Sequence, residues 1–583
     1  MKLQRNQRKR NTLITLAAML AVSVLFSLGE YWDFSDGVLK EVLFIGADCI
    51  LLVLVPLLVY RSTGFNAWMN AKIDGVDWKE KKKELFRNIL LYAAGIPVSL
   101  LTAAGLSVII GIQNNIIIQL CCLSAVWLTI TIWLMRKTAY EHLDRLFLCA
   151  AMIIGTLFVV ILPAELGYSW DDQIHFDRTL SAATLDGPYY TADEYVYLSA
   201  WDPAGNVSAS ERDARESLIN QSYEVGERTP YNHGDMKHIS IISYAGYGVG
   251  TVLARGLGLP YTICFRLSKL MNVLVYGLVI AMGIRRLKYG KVLAAVIGLI
   301  PTSMYMASSY SYDPWLTAFL ILGFCCFFGA LQKKDEKLTD REIAIMLGAF
   351  LIGCLPKAIY CVCMLPLLFM PRDKFVSKKQ YALYLTAGFT VVFLLLSTFI
   401  VPRFLYGAGS GDERGGEGVN ASGQIAFIMS HPKEYLSILL NFLKNEYLTA
   451  WSAGAYSVNY AYLGVDHALW YAVPVMIFLT AQIDKNGSYG RTAAITVSAM
   501  ISFVILIAVI ASSMYISFTP VGHHTVNGCQ PRYLIPLLFP AWYINSFDRV
   551  NLKWNRNLLP LMMIAVMGLI NIVSLGSILA SIY

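Results

Sequence analysis

Windows of about twenty apolar residues recur along this chain, and that is the length a helix needs to cross a bilayer core. Thr12 to Leu28, Leu146 to Ala164 and Thr492 to Ile516 are examples. The bilayer interior offers no water to backbone amides, so spans of this kind must be helical. Composition agrees: 56% of the 583 residues are hydrophobic and 15% are charged. A soluble protein of this size needs more charge to cover its surface. The expected fold is all-α, a polytopic integral membrane protein.

The net charge of +8 is spread over short runs between apolar segments. That is the positive-inside pattern rather than a nucleic-acid surface, so no nucleic-acid partner is expected. Of the eleven cysteines, only Cys529 maps to an expected outer loop. The others lie in or beside apolar segments, where cysteine behaves as a small hydrophobe. No disulfide framework is expected. Met1 to Arg10 is basic and precedes the first apolar window, but Gly29-Glu30-Tyr31-Trp32 makes a poor cleavage site. The reading is an uncleaved first helix with a cytoplasmic N-terminus.

Charge runs then order the spans. Two crossings near 12–30 and 38–60 lead to a basic inner loop with Lys79, Lys81, Lys82 and Lys83. Two more, near 88–112 and 115–135, return to Arg136-Lys137. A fifth, near 146–164, ends outside and opens a long polar loop, 165–237. The stretch Ile239 to Leu259 is read as interfacial or re-entrant, because a crossing there would put Arg285 and Arg286 outside. Further spans are expected near 261–284, 292–309, 313–331, 381–401, 466–483, 491–516, 532–547 and 557–580. Two short pieces near 343–356 and 358–371 read as a broken hairpin around Pro356-Lys357. The total is about 15 helices, with large outer loops at 165–237, 402–465 and 517–531. The expected division is an N-terminal module of four helices, 1–140, and a core, 141–583.

Polar chemistry gathers on the outer side. Of eight histidines only His142 maps inside. The sharpest constellation is Ser169-Trp170-Asp171-Asp172-Gln173-Ile174-His175-Phe176, directly after the fifth span. On a helix, His175 lies three and four residues from the two carboxylates, on one face. The trio can share a proton or hold a cation; as a bland alternative, acids suit a solvated helix start. The second cluster is Gln530-Pro531-Arg532-Tyr533-Leu534-Ile535-Pro536. Arg532 stands outside against the charge rule, as a bidentate phosphate ligand or as a snorkelling anchor. Lys357 lies between two apolar pieces, where an ionisable group is either functional or a turn residue. Asp313 before Pro314 reads as ordinary helix-start chemistry. A glycine-rich segment, 407–418, reads as a lid or a loose loop, flanked by Arg403 and His431. There is no phosphate-cradling GxxxxGKS, no HExxH and no GxSxG, which weighs against an ATP-driven pump, a zinc protease and a serine hydrolase.

From about residue 145 to its end the chain resembles the family of multispanning bacterial membrane proteins named domain of unknown function 2142, grouped with the GT-C glycosyltransferases. The family's outer Pro-Pro-Asp-Glu-x-x-His-Phe motif is matched by Ser169 to Phe176, and its late Gln-Gly-Arg-Tyr-Phe-x-Pro motif by Gln530 to Pro536. A mid-chain Asp after small polar residues is matched by Asp313, and a Lys before an apolar run ending in Pro by Lys357 through Pro371. Ser169 and Trp170 replace the two prolines, Asp172 the glutamate and Pro531 the glycine.

The resemblance implies a GT-C-like core in a bacterial plasma membrane with an extracytoplasmic active site. It implies a polyprenyl-phosphate-linked sugar as donor and a surface glycan, lipid or protein as acceptor. Asp171, Asp172 and His175 are then the expected catalytic residues. Arg532, Gln530, Tyr533, Lys357, Asp313 and Arg403 are the expected substrate-binding residues. A divalent cation is possible, with no full ligand set in the sequence. The rival readings are a transporter or flippase, or a polymerase, of lipid-linked surface polysaccharide.

Overall fold

The computed structural model describes residues 78–110, 114–184, 189–191, 214, 217, 228–230, 239–406, 412, 415–484, 491–546 and 555–580. The expected spans near 12–30 and 38–60 and most of loop 165–237 lie outside the described residues. The side chain of Arg403 lies outside them too.

The first helices are α1 (Trp78–Ile110), α2 (Ile116–Met135), α3 (Leu143–Ile161) and α4 (Asp172–Thr184). A two-stranded antiparallel ribbon follows, β1 (Tyr189–Thr191) with β2 (Arg228–Pro230). Then come α5 (Ala245–Gly256), α6 (Tyr261–Arg286), α7 (Lys291–Gly298), α8 (Pro301–Ala307), α9 (Asp313–Gln332) and α10 (Asp340–Cys354). After a 3-10 stretch, Ala358–Phe369, follow α11 (Lys378–Tyr406), α12 (Ala421–Ser430), α13 (Pro432–Phe442), α14 (Leu448–Ser452) and α15 (Ala472–Ile483). The last are α16 (Ala493–Phe518), α17 (Ile535–Ile544) and α18 (Leu558–Ala580). The fold is helical apart from the short ribbon.

Among the described residues eight helices are long and apolar enough to cross a bilayer: α1, α2, α3, α6, α9, α11, α16 and α18. Several expected crossings are shorter than a span. The stretch near 292–309 is two helices, α7 and α8, broken at Leu299-Ile300 ahead of Pro301. The expected 466–483 span shrinks to the twelve residues of α15. The expected 532–547 span is a 3-10 turn, Pro531–Leu534, followed by the ten residues of α17. Prolines at 301, 531, 536 and 540 remove amide donors and interrupt regular helix at these places. The broken hairpin at Pro356-Lys357 is present: α10 stops at Cys354, and Lys357 precedes the 3-10 stretch.

A helix break inside a membrane bundle leaves backbone groups that need partners. At the α7–α8 break they come from remote segments. Asn571 Nδ2 on α18 donates to Leu299 O at 2.9 Å, and Thr302 N donates to Ser457 O at 3.1 Å. α5 does not cross. It runs antiparallel along the first half of α6, and its twelve residues are about 18 Å long. The two helices touch through small residues, as membrane helices commonly do. A Cβ on Gly250 would stand 2.6 Å from the Ser268 Cα, so only glycine fits there.

α9 is the central helix, with 89% of its best apolar window buried, against 17% for α1 and α11 at the periphery. Its far end sits among basic residues. There Gln332 Oε1 accepts from the Lys288 and Tyr289 amides, and its amide nitrogen donates to Tyr289 O and the Tyr543 hydroxyl. At the same end Asp484, just after α15, caps α7: its Oδ2 accepts from Val292 N at 2.6 Å and Leu293 N at 3.1 Å. Asp484→Ala leaves two buried amides without an acceptor and should cost about 2 kcal/mol. Asp484→Asn keeps an acceptor and should cost less. Thermal unfolding of detergent-purified variants checks this; an Ala variant as stable as the parent contradicts the capping role.

Candidate functional site

The opposite end of α9 carries the charges. Tyr312 is the N-cap of this helix, and Asp313 already lies in its first turn. The Asp313 carboxylate therefore does not cap the helix, as the sequence reading expects; two cations hold it instead. Lys357 Nζ donates to Oδ1 at 3.2 Å, and Arg532 Nη1 donates to Oδ2. Arg532 Nε donates to Gln530 Oε1 at 2.5 Å. All three charged side chains are largely buried, 8–19% exposed.

Three segments far apart in sequence build this cluster. Lys357 is presented by the break after α10, where Pro356 cannot continue the helix. Arg532 is presented by the 3-10 turn before α17. The two pieces are tied by Tyr360, whose hydroxyl donates to Tyr533 O at 2.5 Å. Aromatic rings enclose the cations. The Lys357 Nζ lies 4.0 Å from the Tyr533 ring centroid and 5.1 Å from that of Tyr312. The Arg532 Cζ lies 4.2 Å from Trp170 and 5.0 Å from Tyr533.

Trp170 belongs to the acidic motif, so the structure brings the first and last motifs to one place. Asp172 and Asp171 have different surroundings within it. Asp172 is buried and opens α4, and its Oδ2 accepts from the amides of Gly167, Tyr168 and Ser169 at 2.9, 3.2 and 3.1 Å. The loop is wound around its own carboxylate. Gly167 has a φ of 99°, a conformation glycine adopts readily. Asp171 has a φ of 56°, uncommon for a residue with a side chain. It is more exposed than Asp172 and lies within electrostatic range of Arg532 and Tyr312.

His175 lies one turn further along α4. Its Nδ1 is 2.7 Å from the Tyr244 hydroxyl, and its ring meets the Tyr312 ring edge-on at 4.9 Å. Burial pushes the imidazole down to about 3, against the opposing pull of the Asp313 carboxylate. His175 is therefore neutral near pH 7 and does not form a charged trio with the two acids.

A small cavity of about 20 Å³ adjoins Asp313 and Arg532, lined by both apolar residues such as Met306 and Ile535 and polar ones such as Ser303 and Thr317. Among the described residues the Lys357 ammonium donates one hydrogen bond and the Arg532 guanidinium two. Asp313 is one carboxylate bridging two cations, and Asp171 is a second carboxylate in the field of Arg532. Among the described residues no group of three His, Cys, Asp or Glu stands close enough to hold a metal ion.

Sequence reasoning passed over Trp170 as a ligand of Arg532, and it passed over Lys269. Lys269 is 6% exposed within α6, with Nζ 4.1 Å from the Phe265 ring centroid and 5.2 Å from that of Tyr310. An ionisable residue inside the apolar stretch 261–284 was the available signal.

Fold and site together define a polytopic membrane protein with a cationic, aromatic-walled site at one end of its central helix. The family model described as "Predicted membrane protein (DUF2142)" matches residues 152–541, about two thirds of the 583 residues. The chain belongs to this family of predicted membrane proteins. The match begins within α3 and stops inside α17, so α1, α2 and α18 lie outside it. No curated protein and no solved structure matches the chain.

The buried, neutral His175 has a pH signature. Its ordinary pKa is near 6.5, so its contribution to folding is complete above that value and is lost as pH falls from there toward 3. The thermal midpoint of the parent should fall between pH 7 and pH 5 more steeply than that of His175→Gln. Parallel melting curves across that range contradict this account.

Proposed function

We propose that this protein is a membrane glycosyltransferase that takes a sugar from a polyprenyl-phosphate carrier outside the bacterial plasma membrane. The acceptor is a glycan, lipid or protein of the cell surface. One observation carries the reading. Lys357 and Arg532 converge on a single carboxylate at the end of α9, with donors to spare, next to a small cavity and within electrostatic range of Asp171. A lipid-linked phosphate has matching parts: an anion at the bilayer surface and a hydrocarbon chain within it. The resemblance of Ser169–Phe176 and Gln530–Pro536 to motifs of the domain of unknown function 2142 family, grouped with the GT-C glycosyltransferases, points the same way. The basic residues at the far end of α9 support placing the site outside.

The roles follow from the geometry. The donor phosphate sits against Lys357 and the free edge of the Arg532 guanidinium. An acceptor hydroxyl attacks the anomeric carbon as the carbon–oxygen bond to the phosphate breaks. Asp171 takes the hydroxyl proton, and the departing polyprenyl phosphate keeps the electron pair. Lys357 and Arg532 stabilise the charge that grows on that phosphate. A single displacement inverts the anomeric centre. Asp172 is engaged by three amides, so its part is to hold the loop that presents Asp171. His175 orients this loop through Tyr244.

Purified protein in nanodiscs, with radiolabelled polyprenyl-phosphate hexoses and candidate acceptors, tests the proposal. The parent should make a new glycosidic bond; a carrier would only move the label across the bilayer. Asp171→Asn should slow transfer roughly a hundredfold or more with folding intact. An Asp171→Asn enzyme of parental rate removes that residue from the role of base. Arg532→Ala should weaken binding of polyprenyl phosphate, the product common to all such donors, roughly 10- to 100-fold. Unchanged affinity makes Arg532 an anchor only.

A further inference from the structure

The Arg532 guanidinium lies over an aromatic ring and is also hydrogen-bonded at its edges. Its edges meet Gln530 through Nε and Asp313 through Nη1. The Trp170 ring centroid lies 4.2 Å from its Cζ, closer than the Tyr533 ring at 5.0 Å. A guanidinium fixed by two edge bonds can still tilt about the line joining them. A ring this close to Cζ restricts that tilt and so narrows the directions open to the remaining nitrogen, Nη2. Trp170 is also bonded directly to Asp171. Its loop is closed by the Asp172 carboxylate on Gly167, Tyr168 and Ser169, and the Tyr305 hydroxyl on α8 donates to Tyr168 O at 2.5 Å. The indole therefore joins the piece that carries the acidic residue to the piece that carries the cation.

We propose that Trp170 is a positioning residue: its indole aims the Arg532 guanidinium at the donor phosphate and sets the distance from that cation to Asp171. The proposal rests on the lipid-phosphate reading of the site. Trp170 does not touch the reacting atoms. It acts through Arg532, and its effect depends on Arg532 being present. A tryptophan that only anchored the loop at the bilayer surface would act whether or not Arg532 were there.

A double-mutant cycle separates the two, with polyprenyl phosphate binding to nanodisc-embedded protein as the readout. Trp170→Ala should weaken binding about 3- to 30-fold, the range expected for a buried cation on an aromatic face. Trp170→Phe, which keeps a smaller face, should recover most of the loss. In the Arg532→Ala background, Trp170→Ala should change binding little further. Equal losses in both backgrounds, or parental affinity of Trp170→Ala, overturn the proposal while leaving the lipid-phosphate reading in place. Failure of the parent itself to bind polyprenyl phosphate overturns that reading and this inference with it. Should Trp170→Ala not fold, Trp170→Leu keeps bulk without a π face. The same weakening is expected from it, and parental affinity overturns the proposal equally.

Discussion

A single carboxylate, Asp313, organises the functional end of this molecule. It is the common partner of Lys357 and Arg532, two cations from segments 175 residues apart in the chain. Taking charges out of water is costly, and attraction inside the protein offsets that cost only when geometry is good. Two cations on two oxygens of one acid meet that condition, and the surrounding rings add favourable contacts with each cation. Asp171, one residue from the Trp170 ring, is the further carboxylate in the field of Arg532.

The helix breaks are what make the cluster possible. A continuous span presents its side chains along its flanks, whereas the end of a broken helix presents them toward a common point. Lys357 stands at one such break, Arg532 at another, and Asp313 at the start of α9 after the α7–α8 interruption. Each break exposes backbone groups that a bilayer cannot satisfy. At the α7–α8 break Asn571 on α18 and the Ser457 carbonyl supply partners from remote segments, so that break is stable only within the assembled bundle.

The two neighbouring acids show how position divides labour between identical side chains. Asp172 faces inward and is saturated by amides of its own loop. Asp171 takes a left-handed backbone conformation, faces a more open environment and lies in the field of Arg532. Backbone strain of this kind persists only where the surroundings over-determine it, and it gathers at functional sites. The Asp172 loop, the Tyr305 hydrogen bond and the Trp170 contact are the surroundings here.

The sequence alone determined the helical membrane class and most long spans, α2, α3, α6, α9, α11, α16 and α18 among them. Hydropathy is a local sum that needs no knowledge of neighbours. It also marked Asp171, His175, Lys357 and Arg532, because polar groups beside apolar runs stand out and their motifs keep a recognisable order. Local sums failed at 292–309, 466–483 and 532–547, where apolar stretches of adequate length are short or interrupted helices whose polar backbone finds partners elsewhere. Tertiary structure alone decided that Asp313 bridges two cations instead of capping its helix. It also decided that Asp172 is locked while Asp171 is presented, and that Trp170 lies on Arg532. Each depends on where a distant segment of the chain comes to rest, and residue spacing within one segment carries no record of that.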